Sequence, residues 1–399
     1  MKYVYLIGDG MADRPLKELD GQTVLEYAYT PYMDSFAVEG CTGMMTTAPE
    51  DMPVNSDVCI MSLMGYDPKK YYTGRSPIEA ASVGVDIGSD QIVFRCNLVT
   101  IEDNTMKSFS GVNVTNDEAK ALLKTLDEKC EEQYEFFPGV SYRNIMRVNE
   151  RFINVTSTPP HNIIDQDITE YLPNGECSDE IKALMNFSAE VFKDHPVNQK
   201  RAEAGIPPVT HIWLWGSGRK PSFDTHTSMF GTKGVTVAAV DLVKGLAVNA
   251  EMDVPVIEGA TGYLDTNYEG KTDFVLENWH KYDFFFLHVE APDEAGHLGS
   301  AKEKIKSIEN FDEFVVKKIY NLVKDKKESV RVVITPDHAT PVSLKTHSRE
   351  PIPFIVWGKN VEADSTMRYS EKEMSEKGSL RYDAPMPLIN DVVNKENIK

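Results

Sequence analysis

The stretch Val332-Val333-Ile334-Thr335-Pro336-Asp337-His338-Ala339-Thr340 decides the fold class of this chain. A run of β-branched residues ends in an acidic residue, a histidine and turn-forming residues, which predicts a buried strand followed by a loop. Ligands of open α/β sheets bind outside the carboxyl ends of the strands, where Asp337 and His338 would lie. Carboxylate and imidazole groups bind divalent cations, so this pair and the nearby His347 predict part of a metal site. A structural ion pair has the same sequence pattern, so the interpretation depends on partners elsewhere in the chain.

Two more predicted strands end in residues of the same types. Tyr3–Ile7 is a continuous apolar run of the kind that central parallel strands show, and Asp9 follows it, although Gly-Asp-Gly could also be a simple turn. The predicted strand Asp283–Val289 is followed by Asp293 and His297, and residues four apart on a helical turn face the same way. The carboxyl ends of the strands therefore offer enough ligands for two metal sites.

Ser56 is the candidate nucleophile. Val58, Met61 and Met64 recur at helical spacing, so Ser56 lies at or just before the start of a helix. Ser56 or Asn55 could simply cap that helix. In the functional interpretation, the helix dipole and free N–H groups favour an anion there. A serine hydroxyl beside a metal ion can also become a nucleophile.

Length and composition predict a soluble, cytoplasmic protein of two domains. A chain of 399 residues exceeds what one hydrophobic core usually serves. The net charge of −20 argues against nucleic acid or an anionic membrane as a partner. The five cysteines are scattered, as is typical of reduced thiols in a cytosol. No signal peptide is evident, and no apolar run reaches the roughly 20 residues that span a bilayer. The oligomeric state is left open.

The pattern of elements predicts an inserted domain. From about residue 88 it changes to short strands and helices, and Thr115–Cys130 is predicted to be an amphipathic helix with a capping box. The α/β rhythm resumes with the apolar run Ile212–Gly218, followed by a short strand predicted at Val254–Ile257. We therefore predict a core of residues 1–87 and 208–399 with an insertion at 88–207. His288 lies in an apolar strand and is predicted to be a core residue. The histidines without partners at ligand spacing are His195, His211, His226 and His280.

These motifs resemble the alkaline phosphatase superfamily, and within it the short, archaeal-type cofactor-independent phosphoglycerate mutases. The matching segments run nearly end to end and comprise Gly8 to Asp13, Ser56-Asp57, Gly65 to Pro68, Phe94 to Asn97, Ile212 to Gly218, Asp241 to Gly245, Asp293 to His297 and Asp337 to Val342. The resemblance implies an α/β fold with a three-layer alkaline-phosphatase-like core and an inserted α+β cap domain. It also implies interconversion of 3-phosphoglycerate and 2-phosphoglycerate in glycolysis and gluconeogenesis. The phosphoryl group would pass through a phosphoserine at Ser56, without 2,3-bisphosphoglycerate.

Carried over to this sequence, the resemblance implies two divalent metal ions, which mixed oxygen and nitrogen ligands allow to be Mn, Zn, Co or Mg. One ion would be bound by Asp293, His297 and His347. The other would be bound by Asp9, Ser56, Asp337 and His338. Cationic side chains would hold the phosphate and carboxylate of a small phosphorylated hydroxy acid, with Arg75, Arg95 and Arg201 favoured. The full set of candidates is Arg75, Arg95, Arg143, His161, Arg201, Arg219 and Lys233.

Two alternatives remain open at this point. A metal-dependent phosphomonoesterase or another phosphotransferase, for example one acting on homoserine, would use the same nucleophile and metal ions. A mutase differs because it must exclude water and retain its acceptor, which requires a closing cap lined by cations. The second alternative is a structural metal site in an assembly protein. Ser56 argues against it, since structural sites prefer closed Cys/His ligand sets.

Overall fold

The computed structural model describes all 399 residues, and they separate into two compact units. The first unit combines Met1–Tyr72 with Ser222–Lys399, and the second is the continuous segment Thr73–Pro221. The second unit thus begins 15 residues before the predicted insertion and ends 14 residues after it. Both boundaries differ because flanking elements that were assigned to the core by sequence belong to the second unit.

The chain forms twelve strands and sixteen α-helices. The strands are β1 Lys2–Gly8, β2 Cys41–Met45, β3 Gln91–Glu102, β4 Thr105–Ser108, β5 Glu135–Val140, β6 Arg143–Asn149, β7 His211–Gly218, β8 Gly234–Val237, β9 Phe284–Val289, β10 Val330–Thr335, β11 Ile352–Gly358 and β12 Leu380–Tyr382. The helices are α1 Val24–Tyr27, α2 Pro31–Glu39, α3 Ser56–Leu63, α4 Pro68–Tyr71, α5 Arg75–Ser82, α6 Asn116–Lys129, α7 Ser178–Lys193, α8 Pro196–Glu203, α9 His226–Phe230, α10 Asp241–Asn249, α11 Tyr268–Glu277, α12 Ala291–Leu298, α13 Ala301–Asn310, α14 Lys317–Val323, α15 Glu371–Lys377 and α16 Pro385–Asn394. A π-helical segment, Phe311–Val316, joins α13 to α14. None of the helices combines the length and the apolar character needed to cross a bilayer.

The first unit contains a seven-stranded sheet in the order β12-β2-β11-β10-β1-β9-β8. β1 runs parallel to both β9 and β10, and β8 runs parallel to β9, whereas β11 is antiparallel to its two neighbours. These central strands are buried along nearly their whole length because both faces of the sheet are covered. The parallel pairing brings the carboxyl ends of β1, β9 and β10 to the same edge.

Helices pack on both faces of this sheet. Val4 and Leu6 share one apolar core with residues of α1, α2, α11 and α13. On the opposite face, the Tyr3 hydroxyl donates to the Val393 carbonyl at 3.1 Å, and Arg331 Nη1 donates to the Val392 carbonyl at 2.7 Å, both in α16. The predicted three-layer α/β core is confirmed. The prediction of a strand at Val254–Ile257 is wrong, because the segment lies in a loop. Pro255 has no N–H to donate to a β-sheet hydrogen-bond ladder.

The second unit is an α+β structure around an antiparallel sheet. Its strands lie in the order β4-β3-β6-β5, and β7 also pairs with β3. Helix α6 has the predicted capping box between Thr115 and Glu118, and its leucine face is buried as predicted. The prediction that Ile212–Gly218 returns the chain to the core is wrong, since β7 completes this sheet and α5 packs on it. An apolar run shows that a strand is buried, but does not identify the sheet that accepts it.

Candidate active site

The edge of the first unit's sheet gathers the acidic residues that follow its strands. Asp9 follows β1, Asp337 follows β10, and Asp293 lies in the first turn of α12 after β9, and all three are buried. The Gly10 N–H donates to Asp337 Oδ1 at 3.1 Å. Gly10 has a φ of +61°, and a Cβ there would come within 2.7 Å of Asp293 Oδ1. Only glycine therefore allows the loop after β1 to pass this closely between the other two carboxylates.

The first ligand set consists of Asp293, His297 and His347. Asp293 lies 3.2 Å from His297 Nε2 and 3.5 Å from His347 Nε2. The Nδ1 atoms of the two histidines donate to the carbonyls of Lys345 and Val54, each at 3.0 Å. With neutral rings these bonds leave both Nε2 lone pairs free, and the two Nε2 atoms face each other at 3.1 Å. Two facing lone pairs beside a carboxylate need a cation between them, so this set fits a divalent metal ion.

The second ligand set surrounds His338 Nε2. This atom lies 3.2 Å from Ser56 Oγ, 3.1 Å from Asp337 Oδ2 and 3.6 Å from Asp9 Oδ1. Asp9 Oδ1 and Asp337 Oδ2 are buried and have no hydrogen-bond partner. Buried carboxylate oxygens without partners are costly unless a cation satisfies them. The four side chains therefore fit a second divalent ion.

Ser56 is the first residue of α3, as the sequence predicted. Asn55 occupies the N-cap position, and its side chain makes no capping hydrogen bond. Ser56 Oγ contacts His338 rather than the backbone of its own helix. The hydroxyl is thus available for chemistry, at the positive end of a helix dipole.

The electrostatics of this edge favour bound cations. Burial raises the pKa of Asp9 well above its usual range, and Asp337 and Glu290 add to that effect. Burial likewise raises the pKa of Glu290 to about 8, with Asp293 contributing, and that of Asp337 to about 6. Burial acts to raise the pKa of Asp293 too, but the neighbouring imidazoles of His297 and His347 hold it well below the ordinary value. Ionised carboxylates this close together repel one another. A metal ion shared between them relieves that repulsion, so the site favours a bound cation.

His288 and Glu290 join the site without having been predicted. His288 is fully buried, as expected of a core residue, but its Nε2 donates to Asp9 Oδ2 at 2.8 Å. Glu290 Oε2 lies 3.7 Å from the same nitrogen. Asp9, His288 and Glu290 form a further group with metal-ligand proximity. The sequence signal was present, since both residues lie at the carboxyl end of β9, but the apolar run around His288 concealed its contact.

The second unit contains a cluster of cationic side chains around Glu79. Arg75 Nε donates to Glu79 Oε1 at 2.8 Å, and Arg95 Nε lies 3.0 Å from Glu79 Oε2. Arg95 is buried and its guanidinium lies 4.5 Å from the ring centre of Trp215, which also contacts His161 at 5.4 Å. Burial acts to raise the pKa of Glu79, but the charges of Arg95, Arg75 and Arg143 hold it below its usual range. Arg75 and Arg95 thus share one carboxylate, and the charge of Arg143 also acts on it, which leaves net positive charge for an anion.

Comparisons with known proteins identify the family. A family profile described as 2,3-bisphosphoglycerate-independent phosphoglycerate mutase matches residues 37–198. A curated relative of that name from Methanosarcina acetivorans is 45% identical over 382 residues, covering 95% of this chain and 96% of the relative. This chain belongs to the family of 2,3-bisphosphoglycerate-independent phosphoglycerate mutases.

Solved structures share the fold of this chain. A protein from Pyrococcus horikoshii has a TM-score of 0.83 at 30% identity, covering 98% of this chain and 97% of that one. A cofactor-independent phosphoglycerate mutase from Thermoplasma acidophilum has a TM-score of 0.67 at 23% identity over the full length of both chains, and shares the fold. The resemblance predicted from the sequence is confirmed, and it favours a mutase over a phosphomonoesterase or a structural metal protein. The family also implies divalent metal ions, for which Asp293, His297 and His347 form one group of possible ligands and Asp9, Asp293 and His338 form another.

Three of the cationic residues predicted to bind substrate in this mutase lie outside the cluster. Arg201 is buried, and its nitrogens donate to Glu118 and to the carbonyls of Gly111, Val112 and Pro207. Arg219 pairs with Glu150 at the surface, and exposed Lys233 lies 3.9 Å from Asp253. The preference for Arg201 is therefore corrected, because every nitrogen of its guanidinium is already engaged in structural bonds. Arg75, Arg95, Arg143 and His161 remain the substrate candidates.

Proposed function

We propose that this chain interconverts 3-phosphoglycerate and 2-phosphoglycerate through a phosphoserine at Ser56. The observation that carries the proposal is the position of Ser56 Oγ, 3.2 Å from His338 Nε2 at the start of a helix. The buried, unpartnered oxygens of Asp9 and Asp337 belong to the same group of side chains. A hydroxyl among metal ligands can be activated as a nucleophile, whereas a purely structural metal site would not include a hydroxyl. The names of the relatives support the choice of substrate.

The proposed reaction has two balanced halves. Ser56 Oγ attacks phosphorus in line, the bond between phosphorus and the glycerate oxygen breaks, and the serine proton ends on the released hydroxyl. Glycerate then reorients, the oxygen of its other hydroxyl attacks phosphorus, the bond between phosphorus and Ser56 Oγ breaks, and the hydroxyl proton returns to Ser56. Divalent ions, when bound, would lower the pKa of the Ser56 hydroxyl and neutralise the phosphoryl oxygens. Phosphoryl transfer requires little from the protein beyond positioning and charge.

The cluster around Glu79 is proposed to hold the anionic groups of the substrate. Arg95 is fixed between Glu79 and Trp215, so its guanidinium loses little freedom when it binds an anion. Arg143 Nε is buried without a hydrogen-bond partner, so it has a donor to spare. Planar guanidinium groups bind carboxylate and phosphate through paired hydrogen bonds. Glycerate carries a carboxylate throughout the reaction, so these side chains would retain it while its hydroxyls exchange.

Phosphorus NMR of the full chain with 3-phosphoglycerate tests the proposal. The protein is first treated with a chelator and then supplied with Mn²⁺, Zn²⁺, Co²⁺ or Mg²⁺ in turn. We expect 2-phosphoglycerate as the product, and almost no label in it when labelled free glycerate is present in excess. Ser56→Ala should abolish the reaction, whereas Ser62→Ala, the same change in the same helix, should not. Inorganic phosphate as the main product would replace the mutase proposal by a phosphomonoesterase, and rapid label uptake would refute retention of glycerate.

The metal and the location are also proposals. Manganese suits ligand sets of carboxylate and imidazole that contain no thiolate. Metal analysis of protein purified without added metal, followed by reactivation with single ions, tests this choice. A cytoplasmic location is supported by the five cysteines, none of which is paired in a disulfide. Fractionation of the cells would contradict that location if the protein were recovered outside the cytoplasm.

A further inference from the structure

Thr340 lies between the two ligand sets and touches both of them. Its Oγ1 is 2.5 Å from Asp293 Oδ1, in the first set, and 3.2 Å from His338 Nδ1, in the second. The side chain is fully buried. A Cβ on Gly10 would lie 2.6 Å from Oγ1, and a Cβ on Gly296 would lie 2.8 Å from the threonine methyl group. The hydroxyl is therefore held in one place by close packing on two sides.

The backbone of Thr340 is fixed as firmly as its side chain. Its N–H donates to the Ala12 carbonyl at 3.2 Å, and its carbonyl accepts from Lys304 Nζ at 2.9 Å. Both partners are buried parts of the loops and helices that surround the ligand sets. Because the packing and the backbone of Thr340 are fixed, its hydroxyl can determine the hydrogen-bond geometry of the side chains that contact it.

The hydrogen bonds of this hydroxyl determine the tautomer of His338. A threonine hydroxyl has one hydrogen, and an ionised carboxylate can only accept, so that hydrogen goes to Asp293. Oγ1 can then only accept from His338, which places the imidazole hydrogen on Nδ1. A neutral ring with its hydrogen on Nδ1 has its lone pair on Nε2, the atom that faces Ser56, Asp9 and Asp337. A histidine that binds a metal ion must present that lone pair.

We propose that Thr340 is a positioning residue that fixes His338 with its hydrogen on Nδ1 and couples the two metal sites through Asp293. This inference rests on the proposed function only in taking the two groups of side chains as metal ligands. Without the hydroxyl, His338 would be free to place its hydrogen on Nε2 and point it at the second site. Asp293 would lose a hydrogen bond at the same time, so a single change would weaken both sites.

The test compares Thr340→Val, which keeps the shape and removes the hydroxyl, with Thr340→Ser, which keeps the hydroxyl. Proteins with isotopically labelled histidine are studied by nitrogen NMR in the metal-free state, and His338→Gln identifies the resonances of His338. In the wild type and in Thr340→Ser we expect the hydrogen on Nδ1. In Thr340→Val we expect a mixture of tautomers for His338. His297 and His347 should keep the hydrogens on their Nδ1 atoms, because backbone carbonyls accept them.

Metal affinity provides the second measurement. Titration with Mn²⁺ should show a loss of about 10- to 100-fold at both sites in Thr340→Val, the size expected when a partner of a metal ligand is removed. Thr340→Ser should bind Mn²⁺ as the wild type does. A wild-type His338 with its hydrogen on Nε2 would overturn the proposal even if Thr340→Val failed to fold. Unchanged affinity and tautomer in Thr340→Val would overturn it equally. Neither measurement uses a phosphorylated substrate, so failure here is distinct from failure of the proposed mutase activity.

Discussion

Replacing Lys304 by methionine should lower the free energy of unfolding of the first unit by about 3–5 kcal/mol. The Lys304 ammonium and the Asp13 carboxylate lie 2.8 Å apart, and both side chains have no exposed surface. The ammonium also donates to the carbonyls of Ala12 and Thr340, at 3.0 and 2.9 Å. Methionine fills a similar volume, so the predicted loss comes from the uncompensated carboxylate rather than from a cavity. Because Asp13 still accepts from the Val342 N–H, we expect the lower half of that range.

A double-mutant cycle separates the ion pair from the packing. Asp13→Asn keeps an oxygen that can accept from Val342, and the double variant Asp13→Asn/Lys304→Met removes both charges. The double variant should be more stable than the sum of the two single changes predicts, by about 2 kcal/mol. Urea unfolding followed by circular dichroism measures the energies, and hydrogen exchange of the β1 and β10 amides shows that the first unit is affected. A cost below about 1 kcal/mol for Lys304→Met, or additive single changes, would refute the reasoning.

Three further predictions concern the nucleophile, acid stability and a structural arginine. Ser56→Ala should abolish turnover in the phosphorus NMR assay. It should change the free energy of unfolding by less than about 1 kcal/mol, because the Ser56 hydroxyl caps no helix. Residual turnover within a few-fold of wild type would exclude Ser56 as the nucleophile. Burial lowers the pKa of His226 to about 4, so the fold resists the proton that the unfolded chain takes up below about pH 6.5. Stability should therefore fall by up to about 3 kcal/mol between pH 6.5 and 4, and His226→Phe should reduce that dependence in urea unfolding; an equal slope would contradict the assignment. Arg201→Met should destabilise the second unit by about 3 kcal/mol, because Glu118 and three carbonyls lose their donor. The same change should not raise the ratio of phosphate release to isomerisation. A raised ratio would restore Arg201 as a substrate ligand.

The metal-ligand candidates were predictable because their information is local. Asp9, Asp293 and Asp337 each follow an apolar strand, and the rule that ligands gather at the carboxyl ends of parallel strands brings them together without knowledge of the strand order. The parallel pairing of β1 with β9 and β10 is what makes the rule apply. Whether these residues bind metal in the cell stays a prediction.

Contacts between distant residues were not predictable from one sequence. The bond from His288 to Asp9 joins positions 279 residues apart, and the apolar run around His288 predicts a core residue rather than this contact. Arg201 and Arg95 are both buried arginines, yet one is saturated by backbone carbonyls and the other stacks on Trp215. The residue type alone does not distinguish an arginine that donates to loop carbonyls from an arginine that binds an anion. The same limit explains β7, whose apolar pattern fits either sheet.

The position of β1 in the middle of its sheet has a consequence for how the protein is made. β1 pairs with β9 and β10, and 327 residues of chain separate Gly8 from Thr335. At about 5–20 residues per second, a ribosome needs roughly 15–65 s to cover that distance. The second unit finds all its strand partners within Thr73–Pro221 during that interval, while β1 stays without a partner until β9 is made, as an apolar segment of the kind that chaperones bind. Neither ligand set is complete before Asp337, His338 and His347 have left the ribosome, so metal loading must follow synthesis rather than accompany it.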